Sequence, residues 1–194
     1  HPEAIDCRLG GKPCRVKRVE RVALRGTLNV GVLIGESASV STPALHLDVA
    51  LQRLAENLRA AADPSSGFDV RFRLTAFSGV TRPLTDGFVS NIDTIEKALK
   101  TLRPLGTTAL YRSIATELQS LVELRQRDML AGRDNGYALI IVSDGNDTSN
   151  GLIPGAVLLR LATTGGVPLF CLVLPAGGNE ESFRGLGPLS GGAS

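Results

Sequence analysis

Three short stretches of this chain carry oxygen-bearing side chains at spacings that could do chemistry together. Ser37 and Ser39 place two hydroxyls just after an apolar run at 28–34. Thr107 and Thr108 follow Gly106 and precede a long amphipathic stretch. Asp144 and Asp147 follow the most apolar run of the chain, at 137–142. Neutral hydroxyls combined with carboxylates are hard oxygen ligands, suited to Mg2+ or Mn2+ and unsuited to copper or thiolate-type zinc sites. Each stretch alone is ordinary: Ser after a strand is common, and Asp-Gly is an everyday turn. The same hydroxyls also serve simply to hydrogen-bond loops together and to cap helices. What gives the set weight is its order and its placement at the ends of regular elements.

Other chemistries lack their residues. The only histidines are His1, at the terminus, and His46, and no G-x-S-x-G elbow is present for a Ser-His-Asp hydrolase. Neither G-x-x-x-x-G-K-[ST] nor G-x-G-x-x-G follows the 28–34 run, so the nucleotide-binding fingerprints are missing. Cys7, Cys14 and Cys171 have no metal-ligand spacing, and Cys171 sits in an apolar run as a small buried hydrophobe. The net charge of +2 over 194 residues makes no case for nucleic acid. That charge is uneven: residues 1–25 hold seven Arg/Lys against three acids, which reads as a solvated basic edge. No apolar stretch is long enough to span a bilayer, and no N-terminal apolar signal region is visible. A chain beginning at His1 is expected to be processed or excised.

The elements that must position these loops follow from periodicity. Residues 4–20 predict a hairpin turning at Gly10-Gly11, which places Leu9 opposite Lys12, Arg8 opposite Pro13 and Cys7 opposite Cys14. Opposed positions lie at a Cα spacing of about 4.5–5.5 Å, which a disulfide can bridge. Two free thiols are the other outcome. The 28–34 run has no polar alternation, the mark of a strand buried on both faces. Thr42-Pro43 opens a helix over 43–62 with Leu47, Leu51, Leu54 and Leu58 on one stripe. Strands are expected at 68–77, 80–84, 137–142 and 167–174, and helices at 91–102, 109–127, 152–164 and 179–189. Pro83 marks the 80–84 strand as an edge. Alternating strands and helices predict an α/β class with a mostly parallel sheet covered on both faces, three layers in all. Ligands of such sheets bind at the carboxyl ends of the strands, where the three loops lie.

With these residues in place, the chain resembles the von Willebrand factor type A (vWA) family over roughly residues 27–189. GESAS at 35–39 is similar to its D-x-S-x-S motif, GTTALY at 106–111 to its Gly-Thr loop, and VSDGND at 142–147 to its Asp-Gly loop. The leading hairpin resembles that of a bacterial, exported subgroup. The resemblance implies a Rossmann-like α/β/α domain at 27–194, after an extension at 1–26. It implies the 28–34 strand at the centre, between 68–77 and 137–142, with 80–84 the antiparallel edge strand. The sequence runs through Gly191-Gly192 to Ser194, about where the family begins its last strand, so that strand and its helix are expected to be missing. The resemblance further implies a metal-ion-dependent adhesion site built from Ser37, Ser39, Thr107 and Asp144, beside partner contacts at Glu36, Thr108, Asn146 and Asp147. One departure is plain: Gly35 stands where the family has Asp. A site with one formal carboxylate competes poorly with bulk water for Mg2+. The expectation is therefore a degenerate site, with Mg2+ or Mn2+ bound weakly or not at all. The implied function is a non-enzymatic adhesion module that meets a protein partner, without nucleic acid or membrane insertion, in an exported protein. The alternatives are a structural domain of a larger assembly and, less favoured, a hydrolase. In an oxidising compartment Cys7 and Cys14 are expected to be bonded.

Overall fold

The computed structural model describes residues 7–9, 12–14, 27–36, 53, 56–57, 60, 69–103, 106–149 and 155–173. The hairpin forms as expected. Strands β1 (Cys7–Leu9) and β2 (Lys12–Cys14) pair antiparallel with Cys7 opposite Cys14 and Leu9 opposite Lys12.

The main sheet has five strands: β3 (Thr27–Gly35), β4 (Asp69–Phe77), β5 (Thr81–Pro83), β6 (Gly136–Ser143) and β7 (Leu169–Val173). Their spatial order is β5-β4-β3-β6-β7. β4, β3, β6 and β7 run parallel, and β5 is antiparallel to β4 at the edge. The apolar 28–34 run thus lies at the centre, and Val32, Leu33 and Ile34 are fully buried. β4 alternates exposed and buried residues at its start and is buried from Leu74 onward, as its sequence predicts.

Alternation along the strands builds a core on each face. Leu33, Phe77, Leu139, Ile141, Leu169 and Cys171 pack with helices α2 (Leu110–Leu130) and α3 (Gly155–Gly165). Val30, Val32, Ile34, Phe72 and Leu74 pack on the other face with Ile95, Ala98 and Leu99 of α1 (Ile92–Leu99). α1 starts where Asn91 caps it: the Asn91 Oδ1 accepts a bond from the Thr94 amide at 3.1 Å. α2 lies close to the sheet because Gly31 has no side chain. A Cβ there would stand 3.0 Å from Leu121 Cδ1 and 3.2 Å from Glu117 Oε1. Four residues of the expected 43–62 helix, Arg53, Glu56, Asn57 and Ala60, are helical and exposed. The rest of that span, and the expected 179–189 helix, lie outside the described residues.

α2 runs three residues beyond its expected end at 127. It stops in a Schellman motif, in which the Arg133 amide donates to the Asp128 carbonyl and the Gly132 amide to the Met129 carbonyl. Gly132 takes the left-handed conformation this requires, φ +68. The returning chain fixes a polar knot at the amino-terminal edge of the sheet. Asp128 accepts bonds from the Tyr137 hydroxyl at 2.7 Å, Asn135 Nδ2 at 2.6 Å and Arg133 Nε at 2.8 Å. Asn135 Oδ1 in turn accepts the Thr27 amide at the start of β3. The bonds from Tyr137, Asn135 and Arg133, against an opposing desolvation, pull the Asp128 carboxyl down to about 2. Burial, then the Asp128 carboxylate, pushes the Tyr137 hydroxyl up to about 12.

Candidate functional site

The opposite edge gathers the loops that the sequence singled out. β3 ends at Gly35, β4 at Phe77 and β6 at Ser143, in register side by side. Gly35 takes no positive φ, and a Cβ built on it meets Phe77 Cζ and the Val142 carbonyl at 3.4 Å and Ser143 Oγ at 3.5 Å. Those are ordinary contacts, so neither backbone nor space demands glycine there. Ser37 and Ser39 lie outside the described residues.

The second and third loops are zipped to each other. The Thr108 amide donates to Thr148 Oγ1 at 2.8 Å. The Thr148 and Ser149 amides donate back to the Thr108 carbonyl at 2.9 and 3.0 Å. α2 brings no side-chain cap of its own at Ala109. Asp147 supplies it from the third loop: its Oδ2 accepts the Tyr111 amide at 2.9 Å, and its Oδ1 accepts the Ser149 amide and hydroxyl at 2.8 and 2.6 Å. A carboxylate at a helix amino terminus satisfies orphan N–H groups and complements the helix dipole. The Ala109 amide donates to the Ser78 carbonyl at 2.8 Å, which ties the second loop to the end of β4 as well.

Asp144 is fully buried. Its oxygens accept the Asn146 amide at 3.2 Å, Asn146 Nδ2 at 3.2 Å and, at 3.4 Å, the Ser143 hydroxyl. Every one of those donors is neutral, and among the described residues no Arg or Lys forms an ion pair with Asp144. Thr107 is exposed, and its hydroxyl makes no hydrogen bond to another described residue.

The remaining expected contacts divide. Asn146 and Asp147 are half-buried at the rim. Thr108 is 2% exposed and Glu36 4%, so in this structure neither offers surface to a partner. Glu36 is turned to Arg82 on β5: Arg82 Nη2 stands 2.8 Å from Glu36 Oε2, which also accepts the Arg103 amide at 3.2 Å. Arg82 and Thr148 were not singled out in the sequence. Both bind across the fold, at separations of 46 and 40 residues, and carry no local signature.

As a divalent-ion site the described donors fit poorly. Gly35 contributes no oxygen from a side chain, the oxygens of both Asp147 and Asp144 already accept N–H or O–H groups, and the Thr107 hydroxyl remains. Among the described residues no group of three or more His, Cys, Asp or Glu could hold a metal.

The arrangement has counterparts among solved structures. It is similar to an aerotolerance-related membrane protein from Bacteroides fragilis, at 14% identity over 86% of this chain and 89% of that one, TM-score 0.61. It is similar to the Rpn10 VWA domain, at 11% identity over 84% of this chain and 82% of that one, TM-score 0.57. It is also similar to proximal thread matrix protein 1 of the mussel byssus with a zinc-occupied MIDAS motif, at 13% identity and TM-score 0.60. That match covers 87% of this chain and 43% of the mussel protein, so the present chain spans less than half of it. No family model matches the sequence, and no curated protein matches it. The chain has a vWA-like fold: a five-stranded, mostly parallel sheet with one antiparallel edge strand and flanking helices.

Proposed function

We propose that the chain is a non-enzymatic protein-interaction module that meets a protein partner with the loops at the carboxyl edge of its sheet, and that it does so without a tightly bound metal ion. The observation that carries this reading is the state of those loops. Thr108, Thr148, Asp147 and the start of α2 hold the second and third loops together through the protein's own hydrogen bonds. A face built this way stands ready without an ion. The exposed Thr107 hydroxyl and the half-buried Asn146 are its outward polar groups. The zinc-occupied MIDAS motif of the mussel protein shows that this fold can carry such an ion elsewhere. Here Gly35 withholds the first carboxylate, which fits a metal-poor version of the same face.

The reading extends to an exported chain, with residues 27–194 as the interaction domain and 1–26 as an extension. The opposed register of Cys7 and Cys14 supports a disulfide in that setting. Counting thiols on unfolded protein should give one reactive group, the buried Cys171; three would refute the bond.

The interaction is tested by capture of exported proteins on immobilised chain, with and without EDTA. Thr107→Arg and Asn146→Arg should abolish a specific capture, while Leu130→Arg at the far edge should leave it intact. Capture that disappears in EDTA, or that ignores both loop substitutions, would overturn the reading. So would turnover of a hydrolase substrate that is lost in Ser37→Ala.

A further inference from the structure

We propose that Glu36 and Arg82 form a built-in brace that holds the end of the central strand against the edge strand and the segment that follows α1. Glu36 occupies the variable position of the GESAS motif, yet it is 4% exposed and its Oε2 accepts two bonds. A buried carboxylate persists as a charge only where a cation and hydrogen bonds meet it. Both are present. Arg82 Nη2 approaches Glu36 Oε2 at 2.8 Å, and the Arg103 amide donates to the same oxygen at 3.2 Å. Arg82 Nη2 also donates to the Thr101 carbonyl at 3.3 Å.

Three segments thereby meet at one charged pair. Glu36 leaves the central strand, Arg82 sits on the edge strand β5, and residues 101–103 follow α1 and lead to Gly106 and Thr107. The Glu36 amide adds a bond to the Phe77 carbonyl at 2.9 Å, which fixes the residue from its backbone side. The alternation of the strand explains the direction. Residues 30, 32 and 34 of β3 face the α1 core, so residue 36 continues on that side, away from Gly35 and Ser143. On that side its carboxylate meets the Arg82 guanidinium. The brace stands whether or not the face meets a partner, so its test does not depend on finding one.

Amide hydrogen exchange reads the brace directly, at Arg103. Arg82→Gln and Glu36→Gln should each raise Arg103 exchange about tenfold or more, the effect of losing a charge-assisted bond. The Leu139 amide, buried in the sheet, should be unchanged. Arg82→Lys keeps the charge and should retain most of the protection, although it loses the Nη2 that serves both Glu36 and the Thr101 carbonyl. EDTA should leave Arg103 exchange unaffected in the wild type. Unchanged Arg103 protection in both Gln variants would overturn the proposal. So would an equal rise at Leu139, which would signal global loosening, or a rise in wild-type Arg103 exchange on adding EDTA.

Discussion

The molecule buries an aspartate at each edge of its sheet, and it treats the two differently. Asp128, at the amino-terminal edge, is met by a guanidinium, an amide and a phenol drawn from the turn and strand that follow its helix. Asp144, at the carboxyl edge, is more deeply buried and, among the described residues, is met by neutral donors from Ser143 and Asn146. The first arrangement is a closed knot in which charge balances charge. The second keeps a carboxylate without a cation among the described residues, in loops held by their own backbone bonds. Burial of an acid therefore does not by itself mark a working site; what distinguishes the two edges is whether the fold supplies the counter-charge.

Removing the charge at each edge sharpens that contrast most. Asp128→Asn weakens the bonds that Tyr137 and the exposed Arg133 make to this position and should cost about 2 kcal/mol in denaturant unfolding, the scale of charge-assisted hydrogen bonds to one carboxylate. Asp144→Asn changes a buried carboxyl group that meets no cation among the described residues and should shift stability by no more than about 1 kcal/mol, in either direction. Equal losses at the two positions would erase the comparison.

The pH dependence should follow the amino-terminal knot. The folded Asp128 carboxyl lies at about 2, below the ordinary 3.8. It therefore stabilises the fold fully above the ordinary value, and that contribution, about 2 kcal/mol, is lost as pH falls from near 4 through about 2. Tyr137 works in the opposite direction: its folded value of about 12 exceeds the ordinary 10.0. Its stabilisation is present below pH 10 and lost as pH rises toward 12. Asp128→Asn should flatten the acid limb of a pH-resolved melting series; an acid limb unchanged by that substitution would assign the dependence elsewhere.

A smaller effect belongs to the other edge. Asp147→Ala removes the carboxylate that caps α2 from the third loop and should cost about 1 kcal/mol. Loss of the Asp147 bond to the Tyr111 amide should appear as faster exchange of that amide. No change in either quantity would mean that the loops are held by the Thr108–Thr148 bonds alone.

The sequence made the sheet legible because its signals are local and redundant. The mostly apolar run at 28–34, the Pro83 edge and the alternating start of 68–77 predict the strands themselves, and the family resemblance implies the order in which they are found, with 80–84 as the antiparallel edge. The Gly10-Gly11 turn predicts the hairpin register. The site was legible as a set of loops but not as a set of bonds. Asp147 reads as a partner contact or a carboxylate within reach of an ion, and only the approach of Tyr111 shows that it caps α2. Glu36 reads as an outward residue until β5 brings Arg82 beside it. The extra turn of α2 followed from Gly132 and Arg133, whose hydrogen bonds return to a carbonyl inside the helix.

The central claim is that this edge is assembled by the protein itself and not by an ion. Calorimetric titration of Mg2+ and Mn2+ into metal-stripped wild type, beside Gly35→Asp, tests it most directly. The wild type should bind with a Kd weaker than about 1 mM. Gly35→Asp places a carboxylate where the Cβ has room and should bind measurably tighter. Tight wild-type binding that Asp144→Ala abolishes would contradict the account. A folded Gly35→Asp protein that ignores both ions would remove the link between these loops and a metal site.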